Sequence, residues 1–122
     1  MISFQDFRQT DGTPIYLEIV RYIQQGLAAG TIQDGDELPS RRVVSALLAV
    51  NPNTVQRALA ELEGTGLLHT QRTAGRTVTS DTALIAKTRQ ALAASLAQDF
   101  LAQAKALGLT REEILALLQQ EE

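Results

Sequence analysis

Asn51, Asn53, Thr54, Gln56 and Arg57 lie together in the stretch NPNTVQRALAELEGTG, residues 51–66. Asparagine, glutamine and arginine carry paired donors and acceptors that match purine edges in a major groove, and a threonine hydroxyl suits a phosphate oxygen. More cations stand close by in sequence: Arg41 and Arg42 follow Ser40, and Arg72 and Arg76 flank Thr73, Ala74 and Gly75. Guanidinium groups bind phosphate bidentately, so the chemistry these residues share is recognition of a polyanion with readable edges. Taken alone, residues 51–66 are equally well explained as a solvated helix face, since any surface helix has a polar side.

No catalytic constellation competes with this reading. His69 is the sole histidine and there is no cysteine, which removes thiol nucleophiles, disulfides and metal sites of the usual spacing. Asp34, Asp36 and Glu37 cluster where a turn is expected, Glu121 and Glu122 read as a frayed terminus, and no glycine-rich phosphate loop is present. The expectation is a protein that is not an enzyme and holds neither metal nor cofactor.

The candidate groups need elements to hold them. Thr13-Pro14 opens a helix of about sixteen residues, with Ile15, Ile19, Ile23 and Leu27 one turn apart and Gly30 closing it. TIQDGDELP, residues 31–39, is a loop with room for a short strand. Ser40 caps a short helix expected to turn Val43, Val44, Leu47 and Leu48 inward, with Arg41 and Arg42 in its first turn. After a tight connection, Asn51 caps the next helix and Pro52 occupies its first position, where no amide partner is needed. Val55, Ala58, Leu59 and Leu62 form that helix's apolar face, leaving Asn53, Gln56, Arg57 and Ala60 on other sides. LLHTQR and RTVTS then read as a β-hairpin with arginines beside its tip. A helix-turn-helix followed by such a hairpin is a winged helix.

From Asp81 to about Leu107 runs an alanine-rich helical pattern with Ile85, Leu92, Leu96 and Phe100 on one stripe, about 40 Å long at the α-helical rise. Gly108 ends it, and Thr110 with Glu113 forms a capping box for a last helix bearing Ile114, Leu115, Leu117 and Leu118. The long stripe exceeds what one small domain can cover, so the two helices are expected to pair with a second copy, through Ile85, Leu92, Leu96, Phe100, Ile114, Leu117 and Leu118. The fold class expected is therefore mainly α with a small β-hairpin: a winged helix-turn-helix in residues 1–80 and a two-helix dimerisation tail in 81–122.

A net charge of −3 over 122 residues is unusual for a nucleic-acid binder. The charge is uneven, however. Residues 40–79 hold Arg41, Arg42, Arg57, Arg72 and Arg76 against Glu61 and Glu63, a local balance of +3, while the segments on both sides are net acidic. Screening over about 8 Å makes the local field the relevant one. With so few cations, nonspecific affinity is expected to be modest and a dimer to matter. No apolar run approaches membrane-spanning length, and MISFQDFRQTDG lacks a basic start and an apolar signal core, which predicts a cytoplasmic protein without membrane partners.

The order of these signals is itself specific. The stretch PIYLEIVRYIQQGLAAGTIQDGDELPSRRVVSALLAVNPNTVQRALAELEGTGLLHTQR resembles the winged-helix domain of GntR-type bacterial transcription regulators over about residues 13–79, in its PIY opening, its GxxxxGDxLPSxR segment at Gly30–Arg42 and its VNPNTVQRALxELExxGL block. The short helical tail makes the YtrA-like subgroup the nearest match. The resemblance implies that Arg42 holds a phosphate from the start of its helix, and that Asn51, Asn53, Thr54, Gln56 and Arg57 touch phosphate or base edges, without deciding which does which. Its wing departs from the common arginine-glycine-basic-glycine form, having Arg72-Thr73-Ala74-Gly75-Arg76, with a β-branched residue where glycine would tolerate positive φ; Arg72 and Arg76 remain candidates for phosphate.

The expected function is sequence-specific binding of a double-stranded DNA operator by a homodimeric repressor of pseudo-palindromic sites. Members of the YtrA-like subgroup often control transporter operons. Only 43 residues follow the hairpin, too few for a conventional enclosed pocket, so a small-molecule effector would be expected at the subunit interface. The alternative is a winged-helix module that binds another protein, which has no need of arginines on both hairpin edges.

Overall fold

The computed structural model describes residues 1–10, 12–72 and 75–121. Among these residues, five helices and three short strands follow in the order α1 (Ile15–Ala29), β1 (Glu37–Leu38), α2 (Arg41–Leu48), α3 (Pro52–Gly64), β2 (Leu68–Gln71), β3 (Gly75–Val78), α4 (Thr82–Ala106) and α5 (Arg111–Gln120). The strands form one antiparallel sheet in the order β1-β3-β2, with Leu38 opposite Arg76 and Thr70 opposite Arg76 on the other side. The mainly helical fold with a small sheet is the expected winged helix, and the loop before α2 does contain a short strand, which completes the sheet.

Two compact units divide at Arg89. The first is organised by α1 and α3. Ile19, Ile23 and Leu27 from α1 meet Val55, Ala58, Leu59 and Leu62 from α3, and Leu38, Leu67, Leu68 and Val78 seal the core from the sheet side. Each of the four α3 residues is at most 1% exposed, so the apolar face read from the sequence is the buried face. Leu84 and Ile85, in the first turn of α4, also pack against this core. The unit thus runs past residue 80, with Ile85 half-buried against the winged core.

Helix α2 contains a second departure. Val44 is buried and Leu48 half-buried, but Val43 and Leu47 are 46% and 62% exposed. In an eight-residue helix, positions 43 and 47 share a face one turn apart, and 44 and 48 share the next. Only one of those faces meets the core here.

The N-terminal segment, which shows no periodicity, is part of the core. Ile2, Phe4 and Phe7 are buried, and Phe4 stacks on Tyr22 at 5.3 Å while Phe7 meets the same ring edge-on at 5.5 Å. Polar bonds anchor the segment along its length. The Ile2 amide donates to the Glu37 carbonyl, the Tyr22 hydroxyl donates to the Ser3 carbonyl, and the buried Glu18 carboxylate accepts the Thr10 amide. Partial burial, reinforced by the Asp6 carboxylate, pushes the Tyr22 phenol above its ordinary pKa and keeps it a donor.

The second unit, residues 90–122, comprises the rest of α4 and α5. Gly108 reverses the chain with φ +80°, and Thr110 and Glu113 form the reciprocal capping box expected of them. Ala104 and Ile114 are buried, so Ile114 is spent within its own chain. Leu96, Phe100, Leu101, Leu107, Leu115, Leu117 and Leu118 are exposed.

Truncating Phe4 to alanine removes a buried ring and its stacking partner, and should lower stability by about 3 kcal/mol. Urea unfolding of Phe4→Ala against the parent protein measures this. A loss close to zero would mean that the N-terminal segment is not part of the folded core.

Candidate nucleic-acid interface

Two caps and one clamp define the helix-turn-helix. The Ser40 hydroxyl accepts the Val43 amide at 3.2 Å, and the Asn51 side chain accepts the Asn53 amide at 2.8 Å. Each cap satisfies an amide that the helix itself leaves without a partner, worth about 1 kcal/mol. Between them the chain turns through Ala49, which has φ 55° and ψ 45°, the left-handed conformation usually taken by glycine. The Val50 amide reaches back to the Ser45 carbonyl at 3.1 Å, and the buried Ser45 hydroxyl donates to the Val50 carbonyl at 2.6 Å. Ser45 therefore ties α2 to the residue just before the cap of α3.

With the apolar face of α3 sealed, its other residues are distributed as expected. Asn51, Asn53 and Arg57 are exposed, and Thr54 and Gln56 are half-buried. The structure brings the starts of the two helices together: the Arg41 guanidinium donates to Gln56 Oε1 at 3.5 Å, a long bond that still places a cation beside a possible base-reading amide. Arg42 is exposed beside it in sequence. Arg57 lies over the Tyr16 ring, 3.7 Å from its centroid. A cation held over an aromatic face has fewer rotamers to lose on binding.

Tyr16 is thus a residue that attention to arginine and amide side chains alone overlooks. Its only signal was its place in the PIY opening. Glu63 is another. Its carboxylate pairs with Arg76 Nε at 2.8 Å and accepts the Thr70 hydroxyl at 3.2 Å. Arg76, a candidate for phosphate, is turned toward α3 instead, and this is the one ion pair among the described residues. Arg72 is exposed at the end of β2, and Gly75 opens β3 with φ +73°. Thr73 lies outside the described residues. The remaining DNA-contact candidates, Ser40 and Asn51, use their side-chain oxygens to cap the two helix starts.

No group of histidine, cysteine or carboxylate side chains suited to a metal ion occurs among the described residues. Nor is any described helix long and apolar enough to cross a membrane.

A sealed core helix with an exposed amide-and-arginine face, a tightly turned partner helix and a braced two-stranded wing define a winged helix-turn-helix of the DNA-binding kind. The sequence signature described as bacterial regulatory proteins, gntR family, matches residues 15–78, which span the elements from α1 to β3. The chain belongs to the GntR family of bacterial regulators. It is 36% identical over 102 residues to the HTH-type transcriptional regulator YhcF of Bacillus subtilis, covering 84% of each chain. It is 40% identical over 63 residues to the HTH-type transcriptional repressor YtrA of the same organism, covering 52% of this chain and 48% of the other. Among solved structures, a GntR family transcriptional regulator from Listeria monocytogenes superposes with a TM-score of 0.84 at 38% identity, covering 93% of this chain and all of that one. Like these relatives, the chain is a DNA-binding transcriptional regulator of the helix-turn-helix type.

Proposed function

We propose that the protein is a homodimeric repressor that binds a pseudo-palindromic operator in the cytoplasm, each copy placing α3 in the major groove. The observation that carries this reading is the exposure of Asn53 and Arg57 on a helix whose opposite face is wholly buried. Side chains so placed can reach base edges without any rearrangement of the core. Arg42, at the start of α2, is positioned by its exposure to take a phosphate, and Arg41 with Gln56 forms a polar pair beside it. The repressor role is supported by the likeness to YtrA, named a repressor in its own organism.

The tail supports the dimer. Leu96 is 69% exposed and Phe100 42%, and Leu117 and Leu118 on α5 are similarly open. A row of large apolar side chains in water favours burial against a second copy. Ile85 and Leu92, both half-buried within the chain, belong to the same stripe, whereas Ile114 on α5 is buried. An effector, in this reading, is held between the two copies.

On a genomic fragment selected by the wild-type protein, Arg42→Ala should weaken binding to operator and unrelated DNA alike. Asn53→Ala and Arg57→Ala should lose discrimination as well, by about 1–3 kcal/mol for each bidentate base contact removed. Fluorescence titration across a salt series checks both, and identical curves for all three variants and the parent would refute the operator reading. A salt-independent complex with another polypeptide would favour the protein-binding alternative.

Placing aspartate at both Leu96 and Phe100 should yield monomers, because a carboxylate buried without a partner is strongly disfavoured. Sedimentation of Leu96→Asp/Phe100→Asp would then show a single-chain mass. A dimer that persists in this variant contradicts the seam.

A further inference from the structure

The two arginines of the wing are differently employed. Arg72 stands exposed at the end of β2, whereas the Arg76 guanidinium is 2.8 Å from Glu63 on α3. Glu63 Oε1 also accepts the Thr70 hydroxyl at 3.2 Å. Thr70 and Arg76 are direct partners across the β2–β3 ladder. One carboxylate therefore grips both strands of the wing at the same rung.

The position of Glu63 makes this grip more informative. It is the next-to-last residue of α3, which has no basic residue in its last turn. A carboxylate there opposes the negative end of the helix dipole, and it would also repel a DNA backbone lying along the same face. Arg76 offsets both effects, but in doing so its guanidinium is committed to Glu63 and not to a phosphate. The pair is partly shielded, with side chains 26% and 34% exposed.

We propose that Glu63 is a positioning residue for DNA binding: through Thr70 and Arg76 it fixes the wing on the recognition helix, so that Arg72, not Arg76, is the wing cation that meets the phosphate backbone. The proposal rests on the DNA-binding reading and deepens it by assigning separate roles to the two arginines. Its sign is diagnostic. On net charge alone, neutralising Glu63 brings a cationic surface closer to an anionic duplex and should tighten binding, whereas loss of a brace weakens it.

The test uses the full chain and a long mixed-sequence DNA duplex, with affinity measured over a range of salt concentrations and folding checked by thermal melting. Arg72→Ala should lower the slope of log affinity against log salt by about one, and Arg76→Ala should leave that slope unchanged while weakening binding. Glu63→Gln should weaken binding by about 3- to 10-fold despite removing a negative charge, and should reduce the further effect of Arg72→Ala. Thr70→Val, which changes no charge, should weaken binding in the same direction to a smaller extent and keeps the proposal testable should Glu63→Gln fold poorly. Tighter binding by Glu63→Gln, with Arg76→Ala lowering the salt slope by about one, would overturn the proposal and make Arg76 the phosphate ligand. Unchanged binding in Glu63→Gln and Thr70→Val would overturn it too. If Arg42→Ala and Arg72→Ala also left affinity untouched, the DNA-binding reading itself would fail, an outcome distinct from a misassigned wing.

Discussion

The rotation of α3 about its own axis is the constraint on which the rest of the winged unit depends. Val55, Ala58, Leu59 and Leu62 are all but inaccessible to water, and a helix turned by one residue rotates by about 100°. Such a turn would drive Asn53 or Arg57 into the core and expose leucine. Burying four apolar side chains and keeping polar ones out thus act together, and they leave only one orientation for the amide and guanidinium groups. The caps at Ser40 and Asn51 then fix where each helix begins, and the Ser45–Val50 clamp fixes how the first helix meets the second.

Other groups refine that orientation with little charge. Arg57 is steadied by an aromatic ring rather than by a carboxylate, which preserves its cationic character for a ligand. Arg76 is used inside the protein to neutralise Glu63. The acidic overall balance is compatible with binding DNA because the cations are concentrated between residues 40 and 79. A surface with few cations must rely on geometry, and geometry is what the caps, the clamp and the brace provide.

Much of this was legible in the sequence, for identifiable reasons. Helix α3 carries its own start signal in Asn51-Pro52 and an unbroken apolar period, so its limits and buried face are determined locally. The same holds for Thr110 and Glu113 at the start of α5. Helix α2 is too short and too apolar for periodicity to choose between the Val43–Leu47 face and the Val44–Leu48 face, and packing against the core made the choice. The N-terminal residues have no regular pattern at all. Ile2, Phe4 and Phe7 are buried because Tyr22 and β1 offer them partners, which only the tertiary fold supplies. Ile85 fits the α4 stripe by spacing yet is half-buried against the winged core, and Ile114, read with the other apolar residues of the last helix, is buried within the helical tail. Side-chain partners far apart in sequence, Tyr16 with Arg57 and Glu63 with Arg76, had no signal in spacing.

These features bear on one proposal: that the outward face of α3, with the start of α2 and the wing residue Arg72, meets DNA. Mapping backbone amide NMR shifts on titration with an operator duplex tests it most directly. Shifts concentrated at Arg41, Arg42, Asn51, Asn53–Arg57 and Arg72, with the exposed leucines of α5 unmoved, are the predicted result. Shifts confined to the helical tail or to the N-terminal segment, with Asn53 and Arg57 unaffected, would contradict it.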